Sequence, residues 1–239
     1  GLTNYVEEHG CDIGIATDGD ADRLGVIDDK AEFLHPNKIL VLLYYYLMRY
    51  RGWRGAAVRN LATTHLLDRI AEDFGETCYE VPVGFKYVSA KMVETGAIIG
   101  GESSGGLTVR GHIQGKDGIY AAALLVEAIA KTGRRLSALW DEITQKYGAA
   151  EMAEHDFHFS SAERTRIFKL LMEDKQLPEF PCEIAKVSYM DGCKVYFKNG
   201  GWVIARFSGT EPLLRVFCEM DTMENAEKIA KILTEFLSL

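Results

Sequence analysis

The sequence predicts a three-layer α/β domain followed by a smaller α+β C-terminal domain, with a β-hairpin ahead of both. Short apolar runs alternate with helix-like stretches between residues 36 and 133, which is typical of a largely parallel sheet covered by helices. Strand-like runs then cluster near the C-terminal end, with a helical stretch on each side. Near the start, two apolar runs at 13–16 and 24–27 flank one tight turn and predict the hairpin.

The predicted elements follow one another with short connections. The first helix covers 36–51, and Pro36 suits its first turn. In the α/β region we predict strands at 55–59, 77–81 and 97–101, and helices at 64–74, 85–94 and 116–131. In the C-terminal region we predict a helix at each end, 162–174 and 224–237, and strands at 157–159, 182–189, 194–197, 202–207 and 214–219. These elements give expected domains at residues 1–34, 35–150 and 151–239.

Size and composition indicate an ordinary globular protein. The chain has 239 residues, enough for two domains, with 47% apolar and 26% charged residues. Its net charge of 27 − 35 = −8 argues against a general nucleic-acid binder. The longest apolar run, 39–48, is too short for a membrane span and favours a buried helix. We therefore expect neither nucleic acid nor membrane as a partner.

Cysteine usage and the first residues bear on the compartment. The five cysteines are odd in number and show no C-x-x-C spacing, which favours reduced thiols over a disulfide framework or a zinc site. The start of the chain lacks a basic segment leading into an apolar core, so no secretory signal is predicted. It also lacks Met, which favours a start inside a longer polypeptide. We expect a cytoplasmic location.

The turn between the hairpin strands is strongly acidic. Asp18, Asp20 and Asp22 alternate with Gly19 and Ala21, two of the smallest residues. Because small residues let the backbone curl, alternate side chains can converge on one point. Three like charges this close repel one another unless a hard divalent cation, which prefers carboxylate oxygens, neutralises them. The pattern favours a metal site, with a solvated acidic turn as the alternative.

An EF-hand loop does not fit this stretch. Counted from Asp18, the sixth position is Arg23 where that motif needs Gly, and the twelfth is Asp29 where it needs Glu. The flanking runs also resemble strands rather than helices. Arg23 has another use, because a guanidinium beside a metal can hold an anion that the metal also touches, most simply a phosphate.

Two loops of the α/β region carry candidate binding groups. In the loop 83–86, Lys86 lies near a helix N-terminus and could meet an oxyanion, although a surface lysine is the default interpretation. The loop 100–106 combines four glycines with Glu102, Ser103 and Ser104. Carboxylate and hydroxyl groups suit vicinal sugar hydroxyls, and ligands collect where strands of α/β sheets end. A flexible Gly/Ser turn is the alternative here.

Two further stretches complete the set of candidates. Lys116 and Asp117 fall at the predicted start of the long helix, where Asp117 suits the helix dipole and Lys116 closely follows the loop 100–106. The stretch 206–212 lies between two predicted strands and offers a guanidinium, two hydroxyls and backbone N–H groups. It thereby forms a phosphate cradle without a P-loop, with a β-turn as an equally favoured alternative. The cradle residues are Arg206, Ser208, Gly209 and Thr210.

The joint order of these motifs resembles the α-D-phosphohexomutase family, which includes phosphoglucomutases and phosphomannomutases. The motifs are the acidic turn, V-G-F-K at 83–86, G-E-S-S-G-G at 101–106, K-D-G at 116–118 and R-F-S-G-T-E-P at 206–212. The resemblance implies a four-domain enzyme, of which this chain matches the end of domain two and all of domains three and four. The phosphoserine loop of domain one has no counterpart at Ser160-Ser161 or at residues 63–65, which puts catalysis by this chain alone in doubt.

The resemblance also implies roles for the site residues. Asp18, Asp20 and Asp22 would bind magnesium, and Arg23 would hold the phosphate of the phosphoserine from a second side. Lys86 and Lys116 are the candidates to neutralise the reacting oxyanions or to move a proton, and the choice between them stays open.

The remaining implied roles concern the sugar and its distal phosphate. Glu102 and Ser104 would bind the sugar's 3- and 4-hydroxyls. The cradle would grip the non-reacting phosphate through Arg206, Ser208, Gly209 and Thr210. The expected partners are a hexose phosphate and the missing N-terminal domains of the same polypeptide, and glucose 1,6-bisphosphate is the implied activator of the parent enzyme.

Within the family we expect a phosphoglucomutase, with a phosphomannomutase or a dual enzyme as runner-up. Phosphoglucosamine mutases typically carry a G-E-Q-S-G-H-like loop, so they are less favoured. A hypothesis of another class is a non-catalytic sugar-phosphate-binding module, which the missing nucleophile favours for the isolated chain. Because a lone hairpin is marginal in water, we expect residues 12–34 to pair with a neighbouring molecule or to lie against the α/β layer.

Overall fold

The computed structural model describes residues 1–209 and 211–239 and divides the chain into two compact units, Gly1–Gly148 and Ala149–Leu239. The hairpin region, residues 1–34, clusters with the α/β layer in the first unit. The second unit begins close to the boundary expected at residue 151. Across the described residues, no helix combines the length and apolar character that crossing a bilayer requires.

The first unit opens with a helix and a small antiparallel sheet. These elements are α1 (Leu2–His9), β1 (Gly14–Thr17), β2 (Leu24–Ile27) and β3 (Phe33–Leu34), with sheet order β1-β2-β3. The hairpin was predicted, whereas α1 and β3 were not. Helix α1 packs tightly on β1, since a Cβ added at Gly14 would lie 2.6 Å from Val6 Cγ2.

The α/β layer follows the predicted alternation of strands and helices. Its elements are α2 (Pro36–Arg49), β4 (Ala57–Asn60), α3 (Leu66–Asp73), β5 (Cys78–Val81), α4 (Phe85–Thr95), β6 (Ile99–Gly101), β7 (Leu107–Val109), α5 (Gly118–Thr132) and α6 (Leu136–Tyr147). The sheet order is β5-β4-β6-β7, in which β4 pairs parallel with β5 and β6, while β7 is antiparallel to β6. The predicted α/β class with a largely parallel sheet is confirmed. Strand β7 and helix α6 were not predicted.

The long helix α5 begins two residues later than predicted. Asp117 has extended backbone angles, φ −146° and ψ 99°, and its side chain accepts a hydrogen bond from Tyr120 N. It is therefore the N-cap, and the first helical residue is Gly118. Lys116 lies outside the helix, and its side chain reaches the acidic turn instead of extending from a helical surface.

The hairpin lies against the α/β layer, which was the second of the two expected arrangements. Arg23 forms an antiparallel bridge with Gly106, and Gly118 N donates to Ala21 O at 3.0 Å. Farther along the hairpin, Asp29 accepts hydrogen bonds from Ser137 N at 3.1 Å and Ser137 Oγ at 2.7 Å. Since the N-cap residue of α6 makes no side-chain cap, Asp29 supplies that cap from another element.

The second unit is an α+β domain, as predicted. Its elements are β8 (Glu151–His158), α7 (Ser161–Phe168), a π-helical turn (Lys169–Glu173), β9 (Ile184–Ser188), β10 (Cys193–Phe197), β11 (Trp202–Phe207), β12 (Leu213–Met220) and α8 (Met223–Phe236). The sheet is antiparallel throughout, in the order β8-β12-β11-β10-β9. Apolar residues of α7, the π-helical turn and α8 share one core with this sheet. The strand predicted at 157–159 is longer, and the helix predicted at 162–174 changes to π geometry from Lys169.

Replacing Asp29 should loosen the hairpin from the α/β layer. Asp29→Ala removes the acceptor for the first turn of α6, and we expect it to lower the free energy of unfolding by about 1 kcal/mol. Urea unfolding followed by circular dichroism measures the change. Lys30→Ala is the control, because the Lys30 side chain is exposed and its ammonium lies 3.9 Å from the Asp141 carboxylate. Equal effects of the two substitutions would contradict the capping role.

Candidate active site

The acidic turn gathers three carboxylates at one place. Carboxylate oxygens of Asp18, Asp20 and Asp22 lie within 4.8 Å of one another, and no other group in the described part of the chain has metal-binding spacing. Ala21 makes this possible with a left-handed φ of 58°, and its N–H donates to Asp18 O at 3.1 Å. Convergent oxygen donors on a tight turn match the preference of a hard divalent cation, so the residues fit the implied magnesium.

Two cationic side chains lie directly against these acids. Arg23 donates to Asp18 through Nε at 2.7 Å and through its backbone N–H at 3.2 Å. Desolvation opposes ionisation of Asp18, but the hydrogen bonds from Arg23 outweigh it and lower the pKa of that carboxyl. Lys116 forms an ion pair with Asp22, whose carboxylate also lies 3.5 Å from Arg23 Nε. The turn thus combines acidic ligands with cations suited to a phosphate.

Two glycines, Gly106 and Gly118, let the α/β layer pack closely against the acidic turn. A Cβ at Gly118 would lie 2.7 Å from Arg23 O and 3.0 Å from Ala21 O, both backbone atoms. A Cβ at Gly106 would overlap the Lys116 side chain, which crosses that position on its way to Asp22. The glycine of the K-D-G motif is therefore needed for contact with the acidic turn, a role the sequence did not indicate.

Glu102 is fixed at the carboxyl edge of the parallel strands. It is 8% exposed, and its Oε1 accepts hydrogen bonds from Asn60 Nδ2 at 3.0 Å and Gly84 N at 2.9 Å. Thr63 Oγ1 accepts from Ser103 N at 3.0 Å. Sequence reasoning missed Asn60 and Thr63, although the end of a predicted strand was a usable signal.

The acidic turn and the loop 100–106, called the Gly/Ser loop below, line the same open depression of about 390 Å³. Asp18, Arg23 and Gly25 line it from the hairpin, and the exposed Ser104 lines it from the loop 100–106. Two of the motifs singled out from the sequence therefore meet within the first unit. A ligand in this depression would contact the acidic turn and a hydroxyl donor together.

The two candidate lysines differ in their surroundings. Lys86 is exposed near the start of α4, with its Nζ 4.9 Å from the centre of the Tyr87 ring. Lys116 is partly buried and paired with Asp22. The geometry brings Lys116 into the acidic turn and connects the loop of Lys86 to the site through Gly84 and Glu102.

Beside Lys116, Asp117 joins the start of α5 to His112. Its carboxylate accepts from Tyr120 N at 2.8 Å and lies 2.7 Å from His112 Nε2. The imidazole stacks on the Tyr120 ring with 3.9 Å between centroids. The hydrogen bond from Tyr120 and then the one from His112 lower the pKa of Asp117. These contacts fix the position of Asp117, which directly follows Lys116 in the sequence.

In the second unit, Arg206 lies within β11, next to its last residue, and Ser208 and Gly209 directly follow that strand. Arg206 Nε donates to Asp191 Oδ2 at 2.9 Å. The next residue, Gly192, has a φ of +95°, and the absence of a side chain there lets the chain pass close to Arg206. Ser208 Oγ accepts from Glu211 N at 3.3 Å, while Gly209 is exposed. Thr210, the fourth cradle residue, lies outside the described residues. Asp191 was not singled out from the sequence.

Known proteins resemble this chain along nearly its whole length. Family models of phosphoglucomutase/phosphomannomutase match residues 1–31 as the α/β/α domain II, residues 35–147 as the α/β/α domain III and residues 168–236 as the C-terminal domain. The chain belongs to the α-D-phosphohexomutase family, as the motif order predicted.

The relatives of this chain are named for several different sugar substrates. A phosphoglucomutase/phosphomannomutase of Thermococcus kodakarensis is 33% identical over 97% of this chain and 48% of its own length. A probable phosphoglucosamine mutase of Pyrococcus furiosus is 31% identical over 96% of this chain and 49% of its own. The crystal structure of a putative phosphomannomutase from Thermus thermophilus superposes with a TM-score of 0.78 at 30% identity, covering 100% of this chain and 49% of that one. The chain therefore spans about half the length of these relatives.

The depressed pKa of Asp117 makes its contribution to stability depend on pH. That contribution is complete above the usual pKa of Asp, about 3.9, and is lost as pH falls through the lower pKa of the folded state. We expect Asp117→Asn to cost about 0.5 kcal/mol of unfolding free energy at pH 7. Thermal melts of both proteins at pH 7 and pH 3 should show the difference shrinking in acid. A difference that stays constant would contradict this assignment.

Proposed function

We propose that this chain is the C-terminal half of a phosphoglucomutase that interconverts glucose 1-phosphate and glucose 6-phosphate through a phosphoserine and a bisphosphorylated sugar. The observation that carries the proposal is the convergence of three carboxylates, Arg23 and Lys116 beside the Gly/Ser loop. Such a site suits phosphoryl transfer, where catalysis consists largely of positioning and charge neutralisation.

In this proposal the acidic turn serves the reacting phosphate. Asp18, Asp20 and Asp22 would hold magnesium, which when bound would supply Lewis-acid chemistry at the reacting phosphate. Arg23 holds the same phosphate through its guanidinium. Lys116 is our choice for neutralising the reacting oxyanion or moving its proton, because its ammonium already lies at the acidic turn. Lys86 is the second candidate.

The other loops bind the parts of the substrate that do not react. Glu102 accepts hydrogen bonds from sugar hydroxyls, and the Ser104 hydroxyl can both accept from them and donate to them. Arg206, held by Asp191, binds the distal phosphate together with Ser208, Gly209 and Thr210. The bisphosphorylated sugar then reverses its orientation, so that each phosphate in turn faces the serine. Glucose 1,6-bisphosphate would activate the complete enzyme by supplying this intermediate.

The sugar preference is proposed on motif grounds. The loop G-E-S-S-G-G and the K-D-G run favour glucose phosphates, with mannose phosphates second and glucosamine phosphates third. Relatives named for all three sugars match the chain at similar identity. The test measures turnover of glucose 1-phosphate, mannose 1-phosphate and glucosamine 1-phosphate by the complete polypeptide that this proposal requires. Dominant turnover of glucosamine 1-phosphate overturns our order.

A function of another class suits the isolated chain, namely binding of sugar phosphate without turnover. It is favoured because no serine loop of the family type was found in the sequence. We expect no mutase activity from this chain when magnesium and glucose 1,6-bisphosphate are supplied. A coupled assay that follows glucose 6-phosphate formation measures this, with a complete phosphoglucomutase as the positive control. Turnover clearly above the blank would contradict the expectation.

Metal binding by the acidic turn should depend on the close approach of α5. Gly118→Ala should raise the dissociation constant for Mn²⁺ about tenfold, because its Cβ would displace the backbone at Arg23 and Ala21. Ala is a better helix former than Gly, so its helix propensity offsets part of the cost of this clash.

Electron paramagnetic resonance of free Mn²⁺ measures this binding directly. Gly115→Ala is the matched control, since a Cβ there would make an ordinary 3.8 Å contact with Ile113 Cδ1. We expect the control to bind like the unmodified chain. Wild-type affinity in Gly118→Ala would contradict the positioning of the turn by α5, and no Mn²⁺ binding by the unmodified chain would overturn the metal site.

A further inference from the structure

We propose that Asn60 is a positioning residue that holds the Glu102 carboxylate so that one oxygen, Oε2, is presented to the sugar. The inference rests on the proposed sugar-binding role of Glu102 and deepens it, because it states which oxygen binds and what fixes it. Asn60 was not among the residues selected from the sequence, and it lies in the first unit, at the last position of β4.

The hydrogen bonds of the Glu102 carboxylate are distributed unequally between its oxygens. Oε1 accepts from Asn60 Nδ2 at 3.0 Å and from Gly84 N at 2.9 Å. Within the described residues, Oε2 accepts no hydrogen bond, and it is not among the buried polar atoms left without a partner. Because Oε1 is engaged by two donors, Oε2 is the carboxylate oxygen left available to a ligand.

The orientation of the Asn60 amide is itself determined by its neighbours. Oδ1 accepts from Ala62 N at 2.9 Å and from Thr63 Oγ1 at 2.8 Å. A rotated amide would place its NH₂ group against the Ala62 donor and its oxygen against Glu102, losing these bonds. Asn60 and Thr63 are 2% and 0% exposed, so unmade hydrogen bonds there would be costly. Nδ2 is therefore directed at Glu102.

This one carboxylate oxygen connects three neighbouring strands. Gly84 follows β5, Asn60 ends β4 and Glu102 follows β6, and these strands are adjacent in the order β5-β4-β6. Fixing Oε1 in this way removes the rotation that would let both oxygens bind two vicinal hydroxyls. The sugar then meets Glu102 through Oε2 alone rather than through both carboxylate oxygens.

The test uses Asn60→Asp in the 239-residue chain. The substitution keeps an oxygen for Ala62 N and Thr63 Oγ1 but replaces the donor that faces Glu102 with a second acceptor. We expect the Gly84 amide proton to exchange about tenfold faster, because the carboxylate is no longer held against it. We also expect the dissociation constant for glucose 6-phosphate, measured by calorimetry, to rise about tenfold, a loss of about 1.4 kcal/mol.

Asn37→Asp is the matched control. Asn37 is 6% exposed and accepts from Thr64 N at 3.4 Å, but it makes no hydrogen bond with Glu102. We expect Gly84 exchange and sugar-phosphate affinity to stay within about twofold of the unmodified chain. Equal losses in the two variants, or no loss in Asn60→Asp, overturn the positioning role.

Two further outcomes are distinguishable. If the unmodified chain binds no glucose 6-phosphate, the proposed function of the loop fails, and Gly84 exchange alone decides the role of Asn60. If Asn60→Asp does not fold, the unmodified chain supplies the test through the scalar coupling between the Asn60 side-chain amide and the Glu102 carboxyl carbon. A detectable coupling supports the positioning role, and its absence overturns it.

Discussion

The site in the first unit depends on the contact between the acidic turn and the start of α5. Three carboxylates on one turn repel each other, so the turn needs both nearby cations and a fixed backbone. Residues 116–118 supply both, because Gly118 N donates to Ala21 O and Lys116, which precedes the N-cap of α5, pairs with Asp22. Gly118 leaves space for the backbone contact, and Gly106 leaves space for the Lys116 side chain. The same docking holds the hairpin on the α/β layer.

A second constraint lies at the carboxyl edge of the parallel strands, where buried polar groups need hydrogen-bond partners. Buried Glu102 meets this need by accepting hydrogen bonds from the ends of two other strands, through Asn60 and Gly84. The candidate binding residue Glu102 is therefore also part of the structural hydrogen bonding at this edge. A carboxylate that is half engaged by the protein is rigid, and rigidity limits what its free oxygen can bind.

Prediction from the sequence succeeded where local patterns are strong. The parallel strands, the hairpin, the buried helix α2 and the strands around Arg206 were found within a few residues. Helices α1 and α6 and strands β3 and β7 were missed, for different reasons. Strands β3 and β7 are two and three residues long, too short for a periodic pattern, whereas the apolar spacing of Leu136, Leu139 and Ile143 was a usable signal for α6. The N-cap at Asp117 shifted the start of α5, because side-chain capping decides where a helix begins.

The sequence alone determined the fold class, the family and the composition of each loop, because these follow from local periodicity and from the order of motifs along the chain. It could not show that Lys116 rather than Lys86 lies against the acids, that Asp29 caps a helix 108 residues away, or that Asn60 holds Glu102. Tertiary structure decided these points, since each is a contact between side chains and backbone far apart in sequence. Such contacts depend on chain packing, which no single segment encodes.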